Sequence, residues 1–187
     1  MRYASIDIET TGLNEDDHDL VEFGMVLDDL SNQLPLEQLP VFHTYFKKDN
    51  YQGQAGALAM HGEIFRRIDK RVEGYTYLTA EKFGHAVKEF LANNGYNIEK
   101  DRIIINVAGK NFGTFDLQFL KQKTDFRKHI KVRSRLLDPG ILYYQKGDEA
   151  LPGLSESLKR AGFESNVKHT AVEDALDVIK LIRAKLG

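Results

Sequence analysis

Cysteine is absent from the 187 residues of this chain. Its absence excludes disulfides, thiolate zinc sites and cysteine nucleophiles, so any metal ion must be bound by oxygen or imidazole ligands, which favour hard cations. The chain also lacks an apolar run near the ~20 residues of a membrane-spanning helix, and it begins with a strand pattern rather than a charged leader. We therefore expect an intracellular, cytoplasmic protein that does not contact a membrane.

Net charge is also small, at −2 by formal count, and gives no overall attraction to nucleic acid. The charges are uneven, however, because residues 15–19 are acidic whereas residues 127–135 include five Lys or Arg among nine. A charge run is most often a solvated surface. The basic segment therefore leaves two alternatives open, a solvated surface or a contact with phosphate groups.

No internal repeat, low-complexity tract or flexible linker divides the sequence, which predicts a single domain over residues 1–187. Three consecutive strand patterns with short polar connections favour an antiparallel meander, over residues 3–8, 20–29 and 41–46. After them, residues 47–63 contain Gly53, Gly56 and Gly62 and predict an irregular segment.

Helices and strands alternate in the rest of the chain. The apolar spacing predicts helices at 79–95, 114–122, 154–161 and 171–185, a short helix after Asp138–Pro139, and strands at 102–107 and 132–137. Since three antiparallel strands precede this alternation, the expected fold is α/β. Its mixed five-stranded sheet has three antiparallel strands, then two parallel ones, and is flanked by helices.

The segment YASIDIETTGL, residues 3–13, places two carboxylates at the end of the first strand. Side chains alternate along a strand, so Asp7 and Glu9 are neighbours on one face. Carboxylates this close repel each other, and the pKa of at least one is raised unless a divalent cation neutralises them. Alone, the Asp-x-Glu pattern is a weak signal, because Glu9 can also begin a solvated turn.

The start of the last helix, in the segment KHTAVEDAL, carries a more specific pattern. Thr170 and Glu173 have the spacing of a capping box, which makes Thr170 the N-cap. His169 and Asp174 then occupy the two positions where a hydrophobic staple normally packs, so we expect the imidazole beside the carboxylate. Asp174 also lies at the margin of the apolar face and needs a metal, an arginine or backbone donors. For His169, a structural histidine at a helix entrance is the alternative.

A further acidic residue, Asp116, falls in the first turn of the helix predicted at 114–122, which follows the strand predicted at 102–107. The helix dipole alone explains an acid there, although open α/β sheets place ligands beyond the ends of such strands. Divalent cations would neutralise a cluster of Asp7, Glu9, Asp116 and Asp174, and all-oxygen ligation suits Mg²⁺ or Mn²⁺. Two such ions ~3.5–4 Å apart stabilise the attacking and leaving oxygens in phosphodiester cleavage. A histidine, with an ordinary pKa of ~6.5, can take the proton of the attacking water.

Three motifs follow one another along nearly the whole chain: SIDIETTGL, NFGTFDLQFL and HTAVEDA. Together they resemble the DEDDh class of 3′→5′ exonucleases, within the ribonuclease H-like superfamily. The resemblance implies a ribonuclease H-like sheet, catalysis by Glu9 and His169 with His169 as general base, and two divalent cations on Asp7, Glu9, Asp116 and Asp174. It also implies release of nucleoside monophosphates from the 3′ ends of single-stranded DNA or RNA.

The same resemblance implies contacts with the 3′-terminal nucleotide. Its 3′-hydroxyl and base are expected to meet Thr10, Thr11, Gly12 and Leu13. Asn111 matches an asparagine that is common just before the family's helix. Lys110 stands where the family often has histidine, so its role is left open.

Two residues of the segment ALAMHG have alternative interpretations. Met60 falls where family members carry an apolar residue against the terminal bases, and its flexible thioether tolerates different bases. Core packing explains Met60 equally well. For His61 we favour a loop histidine over a ligand.

The sequence thus predicts a metal-dependent exonuclease and leaves two other interpretations open. A catalytically inactive nucleic-acid-binding module with the same fold needs a broken ligand, and the sequence has none. A structural metal site explains an inward Asp174 but not its pairing with His169. The preference for RNA or DNA depends on a pocket that the sequence does not define, and a homodimer is open because several family members are homodimers.

Overall fold

The computed structural model describes residues 1–164 and 170–187 of the chain. Within these ranges the strands are β1 (Arg2–Thr10), β2 (Leu20–Asp29), β3 (Val41–Phe46), β4 (Tyr77–Leu78), β5 (Ile98–Glu99), β6 (Arg102–Ile105), β7 (Val107–Ala108) and β8 (Ile130–Val132). The helices are α1 (Ala55–Met60), α2 (Gly62–Lys70), α3 (Ala80–Asn93), α4 (Asp116–Lys123), α5 (Phe126–His129), α6 (Pro139–Leu142), α7 (Leu154–Arg160) and α8 (Ala171–Leu186).

The antiparallel meander predicted from the sequence is confirmed. β1 pairs with β2 and β2 with β3, so that Asp7 lies opposite Gly24 and Glu9 lies opposite Glu22. β4 adds to β3 and β7 adds to β1, both in parallel, which gives a mixed five-stranded sheet of order β4-β3-β2-β1-β7. The register of the β1–β2 pairing shifts between Glu9 and Thr10, within the motif SIDIETTGL.

The strand expected at 102–107 is interrupted at Asn106. β6 lies before the interruption and forms a second sheet of order β5-β6-β8, whereas β7 lies after it and joins β1. Asn106 donates its side-chain amide to the Arg2 carbonyl at 2.9 Å, and its own carbonyl accepts from Ala4 N–H at 3.0 Å. The chain therefore stays attached to β1 across the interruption.

The strand expected at 132–137 has different bounds. β8 begins at Ile130 and ends at Val132, and an isolated parallel bridge joins Leu137 to Ala108. Between them, residues 133–135 (Arg-Ser-Arg) are exposed. These polar side chains have no buried face to hold a regular ladder.

The prediction of an irregular segment over 47–63 is wrong in its second half, which contains α1 and the start of α2. Alanine, leucine and methionine in AGALAM are strong helix formers, and they outweigh a cost of about 1 kcal/mol for Gly56. Ile64 and Ile68, one turn apart on α2, are buried against the sheet with Val21 and Tyr45.

The helices predicted at 79–95, 114–122, 154–161 and 171–185 agree with α3, α4, α7 and α8 to within two residues at either end, whereas α5 was not predicted. Gly95 follows α3 with a φ of 76°, the left-handed conformation that commonly ends helices. Asp138 caps α6, because its carboxylate accepts from Gly140 N–H at 2.8 Å and Pro139 occupies the first turn. The interpretation of Asp138 as an N-cap is confirmed.

Helices cover both faces of the sheet, as predicted. Ile6 of β1 packs with Phe83 and Val87 of α3 on one face. Tyr3 packs with Ile179 of α8 on the other face. Odd-numbered side chains of β1 therefore point toward α8. Across the described residues, no helix combines the length and apolarity needed to cross a bilayer.

Candidate metal centre

Three carboxylates from opposite ends of the chain meet on the α8 side of the sheet. Asp7 and Glu9 share the odd-numbered face of β1, and Asp174 is the fourth residue of α8. One carboxylate oxygen from each lies within 4.8 Å of the other two, close enough to share a cation. The structure thus brings together three of the four ligands that the sequence predicts.

The fourth predicted ligand, Asp116, adjoins this group without belonging to its 4.8 Å set. Asp116 is the first residue of α4 and is buried, with 3% of its surface exposed. Among neighbouring carboxylates, Asp116 raises the pKa of Asp7 most, ahead of Asp174 and Glu9. The four acids therefore act on one another as a single electrostatic cluster.

Burial holds Asp7, Glu9 and Asp116 toward their protonated forms, and repulsion between carboxylates adds to this effect at Asp7 and Glu9. Burial, followed by repulsion from Glu22, Asp174 and Asp116, raises the pKa of Glu9 to about 8. Burial also raises the pKa of Asp116 to about 8, against the lowering effect of backbone hydrogen bonds and of the nearby Lys110 charge. The pKa of Asp7 is raised well above its ordinary value, mainly by burial. A divalent cation would reverse this preference, since it favours the ionised ligands.

Two hydrogen bonds attach the first two turns of α8 to the sheet. Glu22 is buried on β2 and accepts from the backbone N–H of Ala171 at 3.3 Å, where a carboxylate also complements the helix dipole. Ser5 donates its hydroxyl to the carbonyl of Ala175 at 2.7 Å. These contacts fix the position of Asp174 above β1.

Gly24 lets α8 approach the sheet this closely. A Cβ at Gly24 would lie 2.5 Å from the carbonyl carbon of Ala171 and 2.6 Å from the backbone nitrogen of Val172. Any side chain would therefore displace the helix. Gly24 is the register partner of Asp7, so the close approach occurs beside the cluster.

Thr170 is the N-cap of α8, as predicted. Its hydroxyl accepts from Glu173 N–H at 3.3 Å and donates to a Glu173 carboxylate oxygen at 2.9 Å. His169, the residue before this cap, lies outside the described residues. Its place beside Asp174 and its role as general base therefore stay predictions.

His61 occupies a turn, which agrees with the interpretation as a loop histidine, but it also contacts a predicted metal ligand. It lies at the junction of α1 and α2, is only 5% exposed, and places Nε2 3.5 Å from a carboxylate oxygen of Glu9. A single histidine after Met60 gives no sequence signal for this contact. Its position depends on α1 and α2, which the glycine content of residues 47–63 does not predict.

The turn after β1 holds the predicted substrate contacts in two different environments. Thr10 donates its hydroxyl to the carbonyl of Gly12 at 2.7 Å, and the buried Thr11 hydroxyl accepts from Asp19 N–H at 2.7 Å. Both hydroxyls therefore stabilise the turn itself. By contrast, Leu13 exposes 76% of its surface. Gly12 packs against the imidazole of His18, and a Cβ at Gly12 would lie 2.6 Å from that ring.

Two further predicted substrate contacts, Asn111 and Met60, are exposed. Asn111 adopts a left-handed backbone with φ of 55°, and its N–H donates to Asp138 at 3.0 Å. Asp138 thus caps α6 and holds the loop before α4 with one carboxylate. Met60 exposes 62% of its surface at the end of α1, next to His61 in the chain.

The fold has the architecture of a known group of nucleases. E. coli exonuclease I in complex with a dT13 oligonucleotide is 16% identical, with a TM-score of 0.61 over 97% of this chain and 40% of that chain. A second exonuclease I structure, discussed in terms of processivity, is 16% identical with a TM-score of 0.64 over 98% and 41%. An ExoI/SSB-Ct complex is 15% identical with a TM-score of 0.60 over 98% and 41%. This likeness shows the fold alone, and the chain spans about two fifths of the length of these proteins.

The family itself follows from the sequence. The model of the Exonuclease family (RNase_T) matches residues 5–182, and the chain belongs to that family. The resemblance to DEDDh-type exonucleases of the ribonuclease H-like superfamily is confirmed at the level of the family. None of the curated proteins compared with the chain matches it.

Proposed function

We propose that this protein is a metal-dependent 3′→5′ exonuclease that hydrolyses single-stranded nucleic acid from its 3′ end. Each cycle releases one nucleoside monophosphate. The observation that carries the proposal is the convergence of Asp7, Glu9 and Asp174 within 4.8 Å on the α8 side of the sheet. Membership of the exonuclease family supports the reaction class.

The donor set fits divalent cations. Carboxylates that lie close together in a partly buried site, with pKa values raised by burial and repulsion, are neutralised by a divalent cation. Oxygen-only ligands suit Mg²⁺ or Mn²⁺. Asp7, Glu9, Asp116 and Asp174 would hold two such ions, which when bound supply electrostatic stabilisation to the attacking and leaving oxygens.

The chain's own residues then orient the substrate and move the proton. We assign His169 the role of general base on the strength of the family motif, since an imidazole accepts a proton near neutral pH. The imidazole of His61 lies 3.5 Å from the carboxylate of Glu9 and would orient it. The turn formed by Thr10, Thr11, Gly12 and Leu13, together with Met60 and Asn111, meets the terminal nucleotide.

A single-stranded end is the substrate that this arrangement favours. The terminal nucleotide must leave its pair for the phosphodiester to reach a partly buried carboxylate cluster. A structure with the same fold, E. coli exonuclease I, holds a dT13 oligonucleotide. That complex supports a nucleic-acid strand as the ligand, and the chemistry of the site is equally compatible with RNA and DNA.

The proposal is tested by a cleavage time course on 5′-labelled RNA and DNA oligonucleotides of matched sequence, with Mg²⁺, with Mn²⁺ and with chelator. We expect ladders that shorten one nucleotide at a time from the 3′ end and disappear with chelator. Asp7→Asn and His169→Ala should abolish the ladder, whereas Asp69→Asn, at an exposed position, should not.

Two results would contradict the proposal. Equal rates on blunt duplex and on free single strand would exclude the single-strand requirement. Intact substrate under every metal condition, with the labelled strand still bound in a filter assay, would instead favour a binding module with the same fold and no turnover.

A further inference from the structure

A cleft of about 260 Å³ is lined by side chains of α4, α5, β6 and β8. Four of its lining residues are basic and none is acidic; they are Arg102, Lys121, Arg127 and Lys131. We name this surface the basic cleft. Its floor is apolar and includes Leu117 and Val132. The basic run that the sequence left without a role contributes Arg127 and Lys131, and the fold adds two cations from elsewhere in the chain.

The four cations of the basic cleft stand apart from the ion pairs of the fold. Among the described residues, no carboxylate forms a salt bridge with any of the four, and the lining supplies none. Elsewhere the chain pairs its arginines closely, as in Arg183 with Asp28 at 2.5 Å and Arg160 with Asp148 at 2.5 Å. Four such cations around one cleft attract a polyanion.

Helix α4 connects the basic cleft to the carboxylate cluster. Asp116 begins α4, Leu117 lines the basic cleft, and Lys121 follows one turn later on the same helix face. At 1.5 Å and about 100° per residue, Asp116 and Lys121 are separated by about 7.5 Å along the helix axis and by about 140° around it. A strand that engages the cluster with its 3′ end must therefore pass around α4 before phosphates further along meet the basic cleft.

We infer that the basic cleft binds the sugar–phosphate backbone of the substrate strand, on the 5′ side of the nucleotide being removed. This inference rests on the proposed exonuclease function. Phosphates are held by the four cations, and the apolar floor accommodates the sugars. A strand of two or three nucleotides ends before it reaches the basic cleft, so only longer strands gain affinity from it.

The test is the double variant Arg127→Gln/Lys131→Gln, in which both altered residues are exposed. Binding of a 5′-labelled strand of about 20 nucleotides is measured by fluorescence anisotropy in chelator, between about 50 and 200 mM KCl. Each phosphate contact contributes about 0.7 to the salt slope for single strands, so two lost contacts reduce it by about 1.4. Over this range the affinity of the parent should fall about 7-fold more than that of the variant.

A matched control removes the same charge elsewhere. Lys146→Gln/Lys159→Gln alters two exposed lysines outside the basic cleft and should keep the parent's salt slope. Cleavage of a dinucleotide should be unchanged in both double variants, whereas KM for the long strand should rise only in the variant of the basic cleft.

Equal salt slopes in the parent and in Arg127→Gln/Lys131→Gln would overturn the inference. Binding of poly-glutamate to the parent and to the double variant is measured in the same way. If the double variant loses binding to poly-glutamate but keeps binding to the oligonucleotide, the basic cleft is a site for acidic protein and the inference is also overturned. Failure of the exonuclease function has a separate readout, since the parent would then cleave no strand with either metal, whatever the slopes.

Discussion

Gly24 lies against the backbone of Ala171 so closely that a methyl group on Gly24 would come within 2.5 Å of the Ala171 carbonyl carbon. Gly24 is also the cross-strand partner of Asp7, and Ala171 lies one turn before Asp174. The separation between β2 and α8 therefore sets the separation between two predicted metal ligands. A glycine that touches no substrate thus controls the geometry of the cluster.

Gly24→Ala should lower activity strongly. Carbon atoms pack at about 3.5 Å or more, so the new methyl group requires a shift of α8 by about 1 Å, and a misplacement of that size costs about 100-fold in rate. We expect a comparable fall in kcat and a lower melting temperature. Gly153→Ala is the control, because a Cβ there meets nothing within 4 Å. Unchanged kcat in Gly24→Ala would show that α8 does not set the ligand spacing.

Asp7→Asn should stabilise the metal-free protein while it abolishes activity. The substitution removes one charge from a cluster in which burial and repulsion raise the pKa of Asp7. Each kcal/mol gained raises the melting temperature by about 2–4 °C for a chain of this size. The measurement is the melting temperature in chelator near pH 8, with Asp69→Asn as the exposed control. A decrease in Asp7→Asn would mean that the carboxylates do not repel in the folded state.

The stability of the metal-free protein should fall as the pH rises from about 5 to 8. Folding raises the pKa of Glu9 from 4.5 and of Asp116 from 3.8, each to about 8. The folded state therefore binds more protons than the unfolded state in this window, and its stabilisation is lost as the pH passes through the folded pKa. Asp148, whose pKa is lowered by Arg160, acts at lower pH, outside the window.

Melting curves in chelator across this pH range check the prediction, with Glu9→Gln as the variant that should show a shallower decline. Added Mn²⁺ should raise the melting temperature most at the alkaline end, because protons and metal compete for the same oxygens. A metal-free melting temperature that rises with pH over the window would contradict the predicted protonation of the cluster.

His61→Ala should reduce kcat by about 10–100-fold, the usual effect of losing a side chain that orients a metal ligand. His61 Nε2 lies 3.5 Å from the Glu9 carboxylate, so the imidazole positions Glu9. His61→Gln should restore part of the activity if orientation is its role. His85→Ala serves as control, because His85 is exposed, pairs with Glu89 on the surface of α3 and contacts the ring of His129, away from the cluster. Equal rates for His61→Ala and His85→Ala would remove His61 from the site.

The parts of the site that depend on local periodicity were predictable from the sequence. Strand alternation alone places Asp7 and Glu9 on one face, and the capping box of Thr170 and Glu173 fixes where α8 begins and hence where Asp174 stands. These features need only neighbours within one turn or one strand. The antiparallel meander and the helices on both faces follow from the same kind of pattern.

The parts that depend on distant contacts were not predictable. A hydrogen bond joins Glu22 and Ala171 across 149 residues of sequence, and the residues around either one do not predict it. A glycine inside the apolar strand β2 did carry a signal, since Gly24 in such a place often marks a close backbone approach. The position of His61 was not predicted, because the three glycines in residues 47–63 are typical of an irregular segment and do not predict α1 and α2.

The central claim is that the carboxylate cluster is a site for two divalent cations, and calorimetric titration of Mn²⁺ tests it most directly. At about pH 8 we predict binding of two Mn²⁺ per chain in the parent, and its loss in Asp7→Asn and Asp174→Asn but not in Asp69→Asn. No Mn²⁺ binding in the parent, or the same binding in the parent and in Asp7→Asn, would contradict it.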